Sequence, residues 1–167
     1  SGVTSAQDGS GNWANVSGNW RNETIGANNQ NWNNASMDSA TFGASTDGSY
    51  AVTLSGTVQA GGGITFANSG YTLSGTAGVE LQLDDGTNNS SISVAAEKTA
   101  TINSAITYQR NKPAAITVNS GAVLNLGGGA SNSQYNFNGG GTVNMTAGNY
   151  TANVGKVAVA SFNQSGG

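Results

Sequence analysis

Tyr50-Ala51-Val52-Thr53-Leu54, Gly63-Ile64-Thr65-Phe66 and Tyr71-Thr72-Leu73 are the stretches that decide how this chain folds. In each, apolar and polar residues alternate, so one face of an extended strand enters a core and the other stays wet. Val79-Glu80-Leu81-Gln82-Leu83 and Ser91-Ile92-Ser93-Val94 repeat the pattern. Between the runs stand Gly, Asn, Ser and Thr, residues suited to tight turns and positive φ. Many short strands at fairly regular spacing, with no helical period, predict an all-β repeat fold.

The 167 residues suffice for one domain with a substantial core. Hydrophobic residues make up 36% and charged residues only 8%, against about 25% charged in ordinary soluble domains. Uncharged Asn, Ser and Thr must therefore cover the surface. Low hydrophobicity also marks disorder, but disordered chains usually carry high net charge or much proline. This chain has a net charge of −3 and a single proline, so the strand pattern predicts folding.

Two regions differ in character. Residues 1–48 are rich in Asn and Gly, carry Trp13, Trp20 and Trp32, and alternate little. They read as a cap whose rings cover the end of a stack of repeats, because terminal repeats are usually atypical. Residues 49–167 carry the strand repeats. They tile into coils of roughly 20–30 residues with up to three strands each. Val52/Leu54, Val58 and Ile64/Phe66 form the first coil. Tyr71/Leu73, Leu81/Leu83 and Ile92/Val94 form the second, and Ile102, Ile106/Tyr108 and Ile116/Val118 the third. Leu124/Leu126, Tyr135/Phe137 and Val143/Met145 are assigned to a fourth, and Tyr150 to Val154, Val157/Val159 and Phe162 to a fifth.

The expected architecture is a right-handed parallel β-helix with a Trp-rich amino-terminal cap. Inward Ile, Val, Leu and Phe would form columns, and outward Asn, Ser and Thr would form polar rows with amide ladders along the stack. A β-sandwich of hairpins is the alternative. Clear hairpin signals are scarce, and Asp85-Gly86 is the best of them.

Gly63-Ile64-Thr65-Phe66-Ala67-Asn68-Ser69-Gly70-Tyr71-Thr72-Leu73-Ser74-Gly75 resembles one repeat of the bacterial autotransporter-associated β-strand repeat proteins. Gly11-Asn12-Trp13, Gly18-Asn19-Trp20 and Asp38-Ser39-Ala40-Thr41-Phe42-Gly43 resemble elements that often precede such repeats. The similarity is clearest over residues 11–83. It implies a secreted or surface-displayed β-helical protein and brings no catalytic residues with it.

The residues themselves offer little chemistry. There is no His and no Cys, which removes a Ser-His-Asp triad, thiolate nucleophiles and zinc-cluster sites. Arg21, Lys98, Arg110, Lys112 and Lys156 form no extended basic patch, so no nucleic-acid partner is expected. Nothing singles out a serine to pair with Lys98, Lys112 or Lys156. No apolar run approaches the ~20 residues of a membrane-spanning helix. Asp84-Asp85 is the only adjacent carboxylate pair and reads as a turn; Asp8, Glu23, Asp38, Asp47, Glu80 and Glu97 are scattered. Asp84, Asp85, Asn88 and Asn89 offer oxygen ligands for calcium, but their spacing matches neither an EF-hand nor the nonapeptide calcium repeats. We therefore expect no metal, no cofactor and no catalytic residue. Exposed on one face, the three tryptophans would make a sugar-stacking platform; buried, they would close the stack, and burial is the expectation.

These readings converge on a non-enzymatic structural protein at the cell surface or outside the cell, an adhesin stalk or a fibre subunit. A carbohydrate-binding or polysaccharide-cleaving module is the alternative. An ice-binding surface would need a regular Thr row, and the Thr positions are too irregular. The expected self-assembly contact sets Trp13, Trp20 and Trp32 of one copy against Val157, Val159 and Phe162 of the next, head to tail. A piece of a longer solenoid is the competing expectation.

Overall fold

The structure, a computed structural model, describes residues 7–108, 112–128, 130–146, 150–152 and 157–165. It is all-β; among the described residues the only helical element is a 3-10 turn at Asn34–Ser36. The amino-terminal part holds β1 (Gly11–Trp13), β2 (Trp20–Asn22), β3 (Ala27–Gln30) and β4 (Ser39–Phe42). Next come β5 (Tyr50–Leu54), β6 (Val58–Gln59), β7 (Gly63–Phe66), β8 (Tyr71–Gly75), β9 (Glu80–Gln82) and β10 (Ile92–Val94). They are followed by β11 (Thr99–Ile102), β12 (Ala105–Thr107), β13 (Pro113–Val118), β14 (Val123–Leu126), β15 (Ala130–Asn138) and β16 (Thr142–Met145). The last are β17 (Tyr150–Ala152), β18 (Val157–Ala158) and β19 (Ser161–Gln164).

Three ladders of parallel strands organise the chain. The first runs β1-β5-β8-β11-β14-β16-β19. A second joins β4, β7, β10, β13, the latter half of β15 and β18. A third joins β6, β9, β12, the first half of β15 and β17. The chain visits the ladders in rotation, and each visit adds a strand beside the one laid down a circuit earlier. Antiparallel pairing among the described residues is confined to β2 with β3 and a bridge from Asp84 to Asn89. This pattern does not fit the β-sandwich alternative, whose strands pair mainly antiparallel.

Register follows burial. Val52, Leu73, Ile102, Leu126, Met145 and Gln164 stand in one column of the first ladder, so successive circuits take 21, 29, 24, 19 and 19 residues. A one-residue slip would turn every one of these side chains outward. Ile64, Phe66, Leu81, Ile92, Ile106, Ile116, Leu124, Phe137 and Val143, the residues whose alternation predicts an inward face, are all buried. Each contributes about 1.5–3 kcal/mol if fully enclosed. The corners are tight as well. Gly70, just before β8, has φ +92, and a Cβ there would lie 1.7 Å from the Gly48 carbonyl oxygen.

The first three expected coils match the observed circuits. The fourth and fifth do not. Val143 and Met145 pair with Leu124 and Leu126, so β16 opens a new circuit rather than closing the fourth. The reason is β15, a nine-residue strand that serves two ladders without a corner between them. Phe162 likewise pairs with Val143 and opens a further circuit instead of ending the fifth. Of the expected strand from Tyr150 to Val154, β17 covers Tyr150–Ala152, and Val154 lies outside the described residues. The ladders also begin within residues 1–48, where β1 pairs with β5 and β4 with β7.

Candidate functional site

The two ends of the ladders differ, and the candidate site residues fall at both. At the amino-terminal end the chain needs 41 residues to pass from Trp13 to its ladder partner Leu54. The extra length forms the β2–β3 hairpin, which brings three indoles together. The Trp13 ring centroid lies 5.0 Å from those of Trp20 and Trp32, and Trp20 lies 4.9 Å from Trp32. Phe42 joins them at 5.4 Å from Trp13 and in turn stacks on Phe66 at 5.4 Å. Trp13 and Trp32 are buried, and Trp20 is half-buried against the core. A three-ring exposed sugar platform is thereby excluded; the rings close the apolar interior.

Below this cluster the third ladder would otherwise start with a bare strand edge at β6. Asn34, in the 3-10 turn, occupies that edge. Its Oδ1 accepts from the Gln59 N–H at 3.0 Å, and its Nδ2 donates to the Thr57 carbonyl at 3.0 Å. One primary amide thus supplies the donor and acceptor that a neighbouring peptide would have supplied. Trp32 Nε1 donates to both Asn34 Oδ1 and the Gln59 carbonyl, each at 3.2 Å.

Asp8 fastens the chain just before β1. Its carboxylate accepts from the backbone N–H groups of Ala44, Ser45 and Thr46 at 2.7–2.8 Å and from the Tyr71 hydroxyl at 2.9 Å. Burial pushes the Asp8 carboxyl up, but these hydrogen bonds outweigh it and hold the group well below the usual carboxylate range. Burial and the neighbouring Asp8 charge raise the Tyr71 phenol. Nothing in the sequence around Asp8 marks this role, because its partners lie 36 to 63 residues away.

A hollow of about 920 Å³ separates the hairpin from the outer edges of β1 and β4. Its walls are rich in amides, including Asn12, Asn19, Asn22, Asn28 and Gln30, with Trp20 among them. Asn19 Nδ2 donates to the Asn12 carbonyl at 2.9 Å across one edge.

Asp84, Asp85, Asp47 and Glu23 serve local structure. Asp84 Oδ1 accepts from Gly86 N, and Asp85 Oδ1 accepts from the backbone of Thr87 and Asn88. These are Asx-type turn bonds within a short antiparallel excursion, and they hold the Asp85 carboxyl below its ordinary value. Among the described residues no group of three or more His, Cys, Asp or Glu could hold a metal ion. Asp47 accepts from Ser69 N–H at 2.7 Å and pairs with Lys98 at 2.9 Å; both lower its pKa, the backbone bond first. Arg21 pairs with Glu23 at 2.9 Å. Lys112 donates to the Thr87 carbonyl, while Arg110 and Lys156 lie outside the described residues. No described helix is long and apolar enough to cross a membrane.

At the other end β19 pairs only with β16 among the described residues. Val157 is 55% and Phe162 37% exposed, whereas Val159 is half-buried against the core. Phe162 packs edge-on against Phe137 at 5.4 Å. Gln164 ends one apolar column with a polar side chain, and Phe162 extends the other. A row of amides runs up the outer face of the first ladder. Asn163 Nδ2 donates to Asn144 Oδ1 at 2.9 Å, Asn144 Nδ2 to Asn125 Oδ1 at 2.8 Å, and Asn125 Nδ2 to Thr101 Oγ1 at 3.3 Å. The structure thus gathers the three tryptophans at one end and Val157, Val159 and Phe162 at the other. Comparison with protein-family models, with curated proteins and with solved structures finds no match to this chain.

Proposed function

We propose that this chain is a non-enzymatic structural protein of the cell surface or its surroundings, a right-handed parallel β-helix used as a stalk or fibre subunit. The carrying observation is the rotation of the chain through three parallel ladders around one apolar core. Such a stack resists bending and unfolding because every inner strand is bonded on both edges. Its coat supports an exposed setting. With only five Lys and Arg residues it offers trypsin-like proteases few sites. The resemblance of residues 63–75 to autotransporter-associated repeats agrees with that placement.

Two measurements test the reading together. Negative-stain images should show rods, and trypsin should leave the ladders intact for hours at 37 °C. Globular particles that trypsin digests within minutes would refute it.

A second reading, carbohydrate binding, draws on the amide-rich hollow with Trp20 in its wall. It requires a neutral oligosaccharide that binds the protein saturably and no longer binds Trp20→Ala.

A further inference from the structure

The row of amides has a direction. Each Asn donates toward the amino-terminal end and accepts from the circuit that follows, so Asn163 ends the row with an Oδ1 whose one hydrogen bond among the described residues is from Ser161 Oγ at 3.4 Å. A row with this polarity extends by a donor from a further parallel strand. A two-fold contact between two such ends would instead set Oδ1 against Oδ1.

The backbone has a phase as well. Ser165 N–H bonds to the Met145 carbonyl, so by strand alternation Phe162 and Gln164 turn their N–H and C=O away from β16. At the opposite end Ser55 N–H bonds to the Trp13 carbonyl, so within β1 Asn12 turns its N–H and C=O away from β5, and the same alternation carried one step ahead of β1 would set those of Ser10 outward as well. Ser10 Oγ accepts from Ala51 N–H at 2.9 Å and keeps its hydroxyl proton to donate elsewhere.

We infer that the carboxy-terminal edge of one copy stacks on the β1 edge of a second copy, in parallel, with Asn163 over Ser10. This inference rests on the structural reading above and names its contact. In that register Ser10 N–H meets the Phe162 carbonyl, and Gln164 N–H meets the Ser10 carbonyl. The Ser10 hydroxyl donates to Asn163 Oδ1 and continues the row. Phe162 and Gln164 then lie over Gly9 and Gly11. A Cβ on Gly9 would meet nothing within 4 Å, so the space beside its Cα is open. The hollow leaves Gly9, Ser10, Gly11 and Asn12 uncovered at the start of β1, and Ser39 and Thr41 along β4. The exposed amide of Asn19 must turn away from the Asn12 carbonyl to admit the strand. This contact differs from the expected one in a definite way: the indoles stay buried inside their own copy, and the strand edges beside them make the joint.

Complementary variants test it. Gly9→Val blocks only the β1 edge, and Phe162→Asp only the β19 edge. In sedimentation velocity, wild-type protein should form particles that lengthen with concentration. Each variant alone should weaken association at least tenfold while its circular dichroism and monomer trypsin resistance stay unchanged. An equimolar mixture of the two should stop at one-to-one dimers, because each copy retains one working end. Monomeric wild type at millimolar concentration would overturn the inference, as would a dimer blocked by Phe162→Asp and untouched by Gly9→Val. Either result would leave the trypsin resistance of the ladders, and with it the structural reading, standing. Digestible globules would sink that reading instead.

Discussion

Phe66→Ala removes a ring from the middle of the inner column formed by Phe42, Phe66, Val94 and Val118. Phe66 is fully buried, and its ring stacks on Phe42 with the planes 18° apart. Truncation takes away about 150 Å² of buried apolar surface, which at about 25 cal/mol per Å² is about 4 kcal/mol. Loss of the aromatic pair adds about 0.5–1.5 kcal/mol. The neighbours cannot collapse freely, because the flanking strands hold their spacing of about 4.8 Å. The expected cost is thus about 4–5 kcal/mol, in line with about 3–5 for enclosed Phe-to-Ala changes. Urea unfolding followed by far-UV circular dichroism measures it as a lower midpoint with unchanged slope. Heating should show a midpoint lower by about 8–20 °C, at about 2–4 °C per kcal/mol for a chain of this length. Phe162→Ala, at the partly exposed end, serves as the internal comparison and should cost less than half as much. A loss at Phe66 below about 1 kcal/mol, or one no larger than at Phe162, would mean that the ladders do not enclose that column.

Asn34→Ala should cost about 2 kcal/mol, since two backbone groups of the β6 edge lose their partner; hydrogen exchange at Gln59 should accelerate with it. Val16 is 69% exposed and sits at φ 62, a conformation strained for a β-branched residue. Val16→Asn should therefore raise stability by about 1 kcal/mol, read as a higher urea midpoint. The Asp8 carboxyl keeps its charge to lower pH in the folded chain than in the unfolded one, so its contribution is complete above about pH 5 and is lost progressively as pH falls below about 4 toward the depressed folded value. Wild-type protein should lose stability over that range, and Asp8→Asn should start lower at pH 7 and fall less steeply; equal slopes would refute the role given to Asp8.

Alternation made the centre of the fold legible. From Tyr50 to Val118 each strand carries at least one inward apolar side chain and most carry a pair, so local pattern and ladder register coincide. The pattern lost its grip at β15, where Ala-Ser-Asn-Ser-Gln-Tyr-Asn-Phe-Asn offers no Gly or Pro to mark a corner, and its Ser and Asn do not show that one strand serves two ladders. It also missed β1. Gly11–Trp13 is three residues long with a single buried side chain, too short to alternate, and its partner lies 41 residues on. The polar rows were foreseeable as a class, yet the direction of the Asn125–Asn144–Asn163 row exists only once register is fixed. Asp8 and Asn34 left no local signal, since what each satisfies is a backbone group brought close by the fold.

The gathering of every tryptophan at one end has a spectroscopic consequence. Intrinsic fluorescence from Trp13, Trp20 and Trp32 samples the first circuit alone, whereas far-UV circular dichroism averages over all the ladders. The protein therefore carries its own positional gauge. If melting starts at β19 and travels inward, ellipticity falls while the emission maximum stays blue. If it starts at the hairpin, the emission shifts red first. Coincident curves would mean that the rows of strands let go as one.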